Sequence, residues 1–250
     1  MARRQDVRRI GVLLPSSNSV AEPSLGGVLP ADITLHVARM RLSNVEAGSI
    51  ERVVEEIESE SRKLADVDVD VIVLAATAPS SRKGLGYDRE LIGRISDASG
   101  KPATTAATGM MAALRALRAG RIALAAPWSE AVNRTTAVFI EQSGVAVVAQ
   151  EALGLVRNLE IGLLDWQTAY EIGRRADRPE ADAVMLACGN WNCFGAIEPL
   201  ERDLGKPVLT TNQVSLWHAL KMIDGAPLGG LGVLLRAHLG DAARGAASAA

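Results

Sequence analysis

The chain has 250 residues, a length that suits one large domain or two of ordinary size. Hydrophobic residues make up 48% and charged residues 22%, a composition that fills a core and excludes a wholly disordered or collagen-like protein. The 27 Lys and Arg residues are balanced by 29 Asp and Glu residues, for a formal net charge of -2. Without an excess of positive charge, we expect no nucleic-acid partner.

No apolar run approaches the ~18 residues that a membrane span needs, so we expect no membrane partner. The Arg-rich start leads into a short strand-like run that ends at Pro15, which is not the pattern of a signal peptide. We therefore expect a cytoplasmic protein. The cysteines Cys188 and Cys193 and the three scattered histidines predict neither a disulfide framework nor a zinc site.

Short runs rich in Val, Ile and Leu alternate with longer stretches of helical periodicity, which predicts an α/β fold with mostly parallel sheets. The predicted strands are Arg9–Leu14, Ile33–Met40, Val71–Ala75, Pro102–Thr105, Arg121–Ala125, Val145–Gln150, Ala183–Ala187 and Pro207–Leu209. The predicted helices are Glu46–Ala65, Asp88–Ala98, Gly109–Arg118, Glu130–Gln142, Trp166–Ala176, Ile197–Leu204 and Val214–Ile223. The last ten residues, Asp241–Ala250, are mostly Ala, Gly and Ser and predict a loose tail.

An internal repeat divides the chain into two similar parts. A shift of 112 positions, shortened by a few residues for the last block, superposes Arg9–Pro15 on Arg121–Pro127, Asp70–Ala76 on Asp182–Cys188, and Gly100–Pro102 on Gly205–Pro207. We predict two Rossmann-like α/β halves, residues 1–118 and 119–240, related by a pseudo-twofold axis. Exchange of C-terminal helices between the halves is a further option.

The repeat also predicts where a ligand binds. In open α/β sheets, ligands bind beyond the carboxyl ends of the strands. The repeat puts four such loops in equivalent places: Pro15–Glu22, Ala76–Gly86, Pro127–Asn133 and Cys188–Ala196. We therefore predict that these four loops surround one cleft between the halves.

Two of the loops carry side chains suited to chemistry. Ser17 and Asn18 can bind an anion together with free backbone N–H groups, or they can cap a helix. Cys188 stands at the carboxyl end of a strand and before a glycine, a position that favours a lowered thiol pKa and a catalytic thiolate. The alternative is a structural cysteine. Cys193 lacks this position, and we assign it to packing or to the role of a redox bystander.

The sequence resembles the aspartate/glutamate racemase superfamily, within it the maleate cis-trans isomerase and arylmalonate decarboxylase branch. The resemblance spans Ile10 to about Leu235. It is carried by Pro15–Asn18 with Glu22-Pro23, Val71–Thr77, Gly86–Asp88, Pro127–Asn133, Leu186–Gly189, Ala196–Glu198 and Gly205–Val208. The resemblance implies a cofactor-free enzyme that uses a pair of cysteines, one from each half, on opposite faces of a carbon acid.

The sequence departs from this family pattern at two positions. The repeat sets Ala76 opposite Cys188, so one face of the substrate meets a thiol and the other a methyl group. Trp128 stands where the family usually has a tyrosine whose hydroxyl helps to bind a carboxylate. We assign catalysis to Cys188, and oxyanion or substrate binding to Pro15, Ser17, Asn18, Ala76, Thr77, Ala78, Trp128, Gly189 and Asn190.

A single thiol suffices to protonate an enediolate from one side, which favours an enzyme that resembles arylmalonate decarboxylase. The alternatives are a maleate isomerase, a racemase or a non-catalytic binder of small carboxylates. The expected partner is a small carboxylate or dicarboxylate substrate, and a homo-oligomer is a further option. The aromatic residues Trp128, Trp191, Phe194 and Trp217 predict an apolar pocket for an aryl or alkyl substituent, and the alternative for Trp191 and Trp217 is packing in the core or at an interface.

Overall fold

The computed structural model describes residues 7–239, so the predicted tail lies outside the described residues. Two four-stranded parallel sheets form its framework. The first sheet contains β1 (Arg8–Pro15), β2 (Ile33–Met40), β3 (Val71–Leu74) and β4 (Ala103–Thr105), in the order β2-β1-β3-β4. The second contains β5 (Arg121–Trp128), β6 (Ala146–Leu155), β7 (Ala183–Leu186) and β8 (Val208–Thr210), in the order β6-β5-β7-β8. The identical order confirms the predicted α/β fold with two related sheets.

The two central strands of each sheet are almost wholly buried because helices cover both sheet faces. Their pairing follows the repeat. Leu13 of β1 pairs with Leu74 of β3, and Ala125 of β5 pairs with Leu186 of β7. The same shift of 112 positions therefore relates residues at equivalent positions of the two sheets.

Equivalent polar contacts repeat in both sheets at the start of the central strands. The carboxylate of Asp70 accepts a hydrogen bond from the backbone N–H of Arg9 at 2.6 Å. The carboxylate of Asp182 accepts one from the backbone N–H of Arg121 at 2.8 Å. Each of these acidic residues accepts from a backbone donor at the start of β1 or β5, which explains why the repeat contains an aspartate before each apolar run.

The helices are α1 (Ala21–Gly26), α2 (Ala47–Val53), α3 (Ile57–Asp66), α4 (Thr77–Ser81), α5 (Tyr87–Ser99), α6 (Ala106–Ala116), α7 (Glu130–Gln142), α8 (Asn158–Gly162), α9 (Trp166–Ala176), α10 (Phe194–Leu204), α11 (Thr211–Met222) and α12 (Gly232–Ala237). The sequence pattern predicts no bounds for α1, α4, α8 and α12, because five or six residues are too few to show a helical period. Helices α6, α10 and α11 begin three residues before their predicted starts.

The single helix predicted over Glu46–Ala65 is wrong. The structure interrupts it with a 3-10 turn at Val54–Glu56, between α2 and α3. The guanidinium of Arg94 on α5 donates a hydrogen bond of 2.7 Å to the carbonyl of Val54. An outside donor thus occupies a carbonyl that a continuous helix would use internally.

Helices α6 and α11 join the two sheets. Helix α11 follows β8 in sequence, yet it packs on α6 and on strands β3 and β4 of the first sheet. A Cβ atom at Gly109 of α6 would lie 2.8 Å from the carbonyl oxygen of Val214 of α11, so glycine permits this close approach. Within residues 7–239, no helix is both long enough and apolar enough to cross a membrane.

The contact at Gly109 gives a first testable prediction. Gly109→Ala should destabilise the protein by ~1–3 kcal/mol, because the new methyl group forces α6 and α11 apart. The matched control is Gly93→Ala in α5, where a Cβ atom meets nothing within 4 Å. That change should leave the stability unchanged or raise it by up to about 1 kcal/mol. Urea unfolding measures both, and equal stabilities of the two variants would contradict the close packing of α6 on α11.

Candidate active site

A small cavity lies at the carboxyl ends of the central strands, between the two sheets. Residues from all four predicted loops contribute to it, so these loops do meet around one space. The cavity is lined by Pro15, Asn18, Leu42, Val45, Ile50, Ala75, Ala76, Thr77, Ala78, Pro79, Trp128, Asn158, Cys188, Gly189 and Asn190. None of these residues carries a charge.

The structure places nine of the ten residues assigned from the sequence in the lining: Pro15, Asn18, Ala76, Thr77, Ala78, Trp128, Cys188, Gly189 and Asn190. Ser17 is the exception. Its hydroxyl donates to the carbonyl of Leu42 and accepts from the Nδ2 of Asn158 at 2.8 Å. Ser17 therefore holds the side chain of Asn158 and does not itself line the cavity.

Cys188 is buried at the end of β7, and burial raises the pKa of its thiol to about 12. The prediction of a lowered thiol pKa is wrong. The backbone N–H of Asn190 points to the sulfur and lowers the pKa, but desolvation by the surrounding apolar groups outweighs this hydrogen bond. At neutral pH the sulfur of Cys188 keeps its proton and can act as an acid.

Ala76 and Cys193 define the surroundings of this thiol. Ala76 precedes α4 and lines the same cavity as Cys188, so the first sheet contributes a methyl group where the second contributes a thiol. Cys193 is buried and does not line the cavity. Burial and the nearby Cys188 raise its pKa well above the ordinary value for a thiol.

Asn18 has two functions in the first loop. Its side-chain oxygen accepts hydrogen bonds from the backbone N–H groups of Val20 at 3.0 Å and Ala21 at 2.9 Å, at the start of α1. This use satisfies helix donors and fixes the side chain. Because the oxygen is occupied, Asn18 can offer its amide N–H groups to a ligand.

Arg39 on β2 holds the backbone of the first loop. Its guanidinium donates to the carbonyl of Ser16 at 3.1 Å and to that of Asn18 at 2.8 Å, and it also pairs with Glu22. The positive charge of Arg39 thus lies behind the loop and not in the lining. The sequence analysis does not assign Arg39, since nothing in the pattern of an edge strand marks one arginine.

Asn190 links loops of both halves. Its Oδ1 accepts from the backbone N–H of Ser19 at 2.9 Å, and its Nδ2 donates to the carbonyl of Asn158 at 2.6 Å. Asn158, at the start of α8, lines the cavity and is a site residue that the sequence analysis missed. The only local signal is its place in Arg157–Glu160, a polar start of a short helix.

Buried polar contacts fix the backbone on either side of Cys188. The Oγ1 of Thr211 accepts from the N–H of Cys188 at 2.9 Å, and the Nδ2 of Asn212 donates to the carbonyl of Gly189 at 3.0 Å. A Cβ atom at Gly189 would lie 2.8 Å from the carbonyl oxygen of Ala75, so only glycine fits here. The loop after β7 is therefore held against the end of β3.

Trp128 is the only one of the four predicted aromatic residues that lines the cavity. Its indole N–H is buried and has no hydrogen-bond partner among the described residues. Trp191 and Trp217 are buried elsewhere, and Phe194 begins α10. None of these three residues lines the cavity, so the prediction that they do is wrong. An unpartnered donor in the lining is a group that a ligand oxygen can satisfy.

Two segments beside the cavity, one after β2 and one after β6, are hydrogen-bonded to each other. The N–H of Val45 donates to the carbonyl of Val156 at 2.8 Å, and the N–H of Asn158 donates to the carbonyl of Ser43 at 3.1 Å. The cavity has a volume of about 30 Å³, room for about one water molecule. A dicarboxylate is larger than this space, so its binding requires the lining to rearrange.

A larger pocket of about 290 Å³ adjoins the cavity and shares Ile50 and Ala78 with it. It lies between α2, α4 and α7, and it contains Arg82, which pairs with Glu51. The pocket contains no thiol, so it offers space for part of a ligand and not for the chemistry.

Within residues 7–239, no three or more His, Cys, Asp or Glu side chains form a metal-binding group.

Comparison with known proteins gives a consistent assignment. A family model described as arylmalonate decarboxylase matches residues 10–231. Arylmalonate decarboxylase of Bordetella bronchiseptica is 27% identical over 86% of this chain and 90% of its own length. Maleate isomerase of Pseudomonas putida is 30% identical over 91% of this chain and 96% of its own length.

A solved structure of Nocardia farcinica maleate cis-trans isomerase superposes with a TM-score of 0.89 at 25% identity, over 92% of this chain and 98% of that one. That structure, in which one cysteine is replaced by serine, holds a covalently bound succinylcysteine intermediate. This chain is thus an α/β protein of the branch of the aspartate/glutamate racemase superfamily that holds both kinds of enzyme, and it belongs to the arylmalonate decarboxylase family.

The environment of Cys188 predicts slow alkylation. With a pKa of about 12, only about one thiol in ten thousand is ionised at pH 8, so iodoacetamide should react at least 100-fold more slowly than with a free thiol. The rate should rise about tenfold per pH unit over the range in which the fold persists. Mass spectrometry of a Cys193→Ser variant isolates the reaction of Cys188. Rapid labelling that is complete by pH 7 would show a thiolate and contradict the raised pKa.

Proposed function

We propose that the protein is a cofactor-independent decarboxylase of small malonate-type dicarboxylic acids. The observation that carries the proposal is the pairing in one cavity of a protonated thiol, Cys188, with a methyl group, Ala76, at the equivalent position of the repeat. One proton donor on one side is what stereospecific protonation of a carbanion requires. Racemisation requires a second acid or base on the opposite side, and Ala76 offers neither.

The reaction divides into two steps. The bond between the α-carbon and one carboxylate breaks, its electron pair stays on the remaining fragment, and CO2 leaves. The enediolate then takes the proton of the Cys188 thiol at carbon, and the resulting thiolate recovers a proton from water. The enediolate carbon is a far stronger base than a thiolate, so this transfer is downhill even from a thiol with a raised pKa.

Neutral donors in the cavity suit the developing enediolate. The lining offers the amide of Asn18, the hydroxyl of Thr77 and the indole N–H of Trp128. Such dipoles stabilise charge that forms during the reaction, in a site that excludes water. Leu42, Val45 and Ile50 form an apolar wall, against which the departing carboxylate is poorly solvated and its loss as uncharged CO2 is favoured.

The substituent of the substrate has one direction in which to extend. The cavity itself has little room, whereas the adjoining pocket begins beyond Ile50 and Ala78. Apolar atoms of Ala47 and Val132 line part of that pocket. We therefore favour a disubstituted malonate with one very small group and one longer substituent.

A second candidate is the cis-trans isomerisation of maleate. The amides of Asn18 and Asn158, one from each half, suit the two carboxylates of a dicarboxylate. The succinylcysteine of the Nocardia structure also supports addition of a thiol to a double bond. Addition requires a thiolate, however, and burial of Cys188 strongly disfavours that form. We therefore favour decarboxylation over the isomerisation of maleate.

The decisive assay incubates the protein in D2O with malonates that carry a methyl group and a vinyl, phenyl or ethyl group, and with maleate in parallel. We expect CO2 release and a product with one deuterium and a single configuration. Cys188→Ser should lower turnover ~100-fold or more, the scale of a lost general acid. Cys193→Ser is the matched control and should retain activity, since Cys193 does not line the cavity.

The same assay contains the outcomes that oppose the proposal. A racemic product, or conversion of maleate to fumarate without CO2 release from any malonate, would support the isomerase. Return of every ligand unchanged, with binding retained, would support a non-catalytic binder. As a positive control, Ala76→Cys should add racemising ability toward the product acid, because it supplies a second thiol on the opposite side.

Trp128 gives a separate prediction about binding. Trp128→Phe keeps an aromatic ring but removes the unpartnered N–H, so KM for the malonate should rise about tenfold, the value of a hydrogen bond to a charged group. Trp191→Phe is the matched control, because that indole N–H is also buried and unpartnered among the described residues but lies outside the lining. An equal rise of KM in both variants would show that loss of packing, and not loss of the donor, is responsible.

A further inference from the structure

A short chain of buried hydrogen bonds leads from the backbone of Cys188 to the cavity. The N–H of Cys188 donates to the Oγ1 of Thr211 at 2.9 Å. The Oγ1 of Thr211 in turn lies 2.6 Å from the Oγ1 of Thr77. Thr211 is fully buried and does not line the cavity, whereas Thr77 does.

The protons of the two hydroxyl groups can be assigned by counting acceptors. Each hydroxyl has one hydrogen, and one of the two hydrogens lies between the oxygens. If Thr77 donates, the hydrogen of the fully buried Thr211 has no acceptor among the described residues, because the other hydrogen bond of its oxygen there is to the N–H of Cys188, a donor. If Thr211 donates, its hydroxyl gives its hydrogen to the oxygen of Thr77 and accepts the N–H of Cys188, so both bonds are made. In the second arrangement the hydrogen without a protein acceptor is that of Thr77, which lines the cavity, where a water molecule or a ligand can accept it.

The geometry points to Thr211 as a positioning residue that fixes the hydroxyl of Thr77 as a donor into the cavity. Because the oxygen of Thr77 accepts a hydrogen bond from the hydroxyl of Thr211, the hydroxyl of Thr77 can donate its own hydrogen to a ligand. The site therefore selects a ligand atom that accepts a hydrogen bond at this point, such as a carboxylate oxygen, and disfavours an amide NH2. For the identity of the ligand this inference rests on the proposed function.

The position of Thr211 is itself held by the start of α11. The hydroxyl of Thr210 accepts from the N–H of Gln213 at 3.2 Å, and the Oε1 of Gln213 accepts from the N–H of Thr210 at 3.0 Å. This capping box fixes the first turn of the helix. Thr211 is thus held rigidly between the loop after β7 and the start of α4.

The hydroxyl chain also connects the two halves of the repeat. Thr77 follows the first sheet, and Thr211 and Cys188 belong to the second. Each donor in such a chain strengthens the next, because polarisation is cooperative in a water-excluded interior. A ligand bound to Thr77 is therefore coupled to the backbone that carries the thiol.

Three variants separate positioning from simple stability. Thr211→Val removes the hydroxyl at nearly constant shape and should weaken malonate binding, measured by calorimetry, about tenfold. Thr211→Ser restores the hydroxyl and should bind malonate within about threefold of the unmodified protein. Thr104→Val is the matched control, because it removes the buried hydroxyl that contacts His218 of the same helix α11 at 2.7 Å, away from the cavity. That control should bind malonate normally.

A double variant tests whether Thr211 acts through Thr77. Thr77→Val alone should weaken malonate binding by at least the factor seen for Thr211→Val. Adding Thr211→Val to Thr77→Val should change binding less than twofold further, because no hydroxyl remains to be oriented. Malonamide has an NH2 group in place of one oxygen of each carboxylate. Its binding affinity should differ less than that of malonate between these variants and the unmodified protein. Independent, multiplicative effects of the two substitutions would overturn the positioning role.

A test without any ligand separates this inference from the proposed function. Neutron diffraction of the deuterated, ligand-free protein should show the deuterium of Thr211 between the two hydroxyl oxygens and the deuterium of Thr77 directed into the cavity. A deuterium on Thr77 that points to Thr211 would refute the inference even if the protein decarboxylates malonates. Absence of malonate binding and turnover, with the expected neutron map, would refute the proposed function and leave the hydroxyl assignment intact.

Discussion

The close contact of the loop after β7 with the end of β3 is the constraint on which the rest of the site depends. Gly189 passes so near the carbonyl of Ala75 that a side chain would collide with it. This approach brings Cys188 and Ala76 to one cavity with room for about one water molecule. The buried hydrogen bonds of Thr211 and Asn212 then satisfy the backbone groups that the contact removes from solvent.

Burial of Cys188 determines the ionisation state of its thiol. A cysteine near a helix start is commonly a nucleophile, because nearby donors stabilise its anion. Here the cost of desolvating that anion exceeds the help of one backbone N–H, and the pKa of Cys188 rises to about 12. The same burial that weakens the thiol as a nucleophile keeps it protonated, as the decarboxylation that we propose requires of its proton donor. Burial therefore favours acid catalysis over covalent catalysis.

Much of this architecture could be predicted from the sequence, because it follows from periodicity. Apolar runs identify all eight described strands, and the repeat of Asp70–Ala76 in Asp182–Cys188 gives the equivalence of the sheets and the meeting of four loops. What could not be predicted depends on tertiary contacts. The break of the helix at Val54 requires Arg94 from another helix, and the inward position of Asn158 requires Ser17 from the other half. The residues near Val54 and Asn158 in the sequence do not indicate which distant residues will contact them.

Ala76 and Trp128 have one physical consequence in common. Ala76 contributes no titratable group to the cavity, and Trp128 contributes an indole N–H that cannot lose its proton at ordinary pH. Cys188 is thus the only group of the lining that can exchange a proton during a reaction. Every other polar group there, including the amides of Asn18 and Asn158, can only donate or accept hydrogen bonds. In the decarboxylation that we propose, a site of this composition separates the binding of charge from the transfer of the proton, and the side on which the thiol lies then determines the configuration of the product.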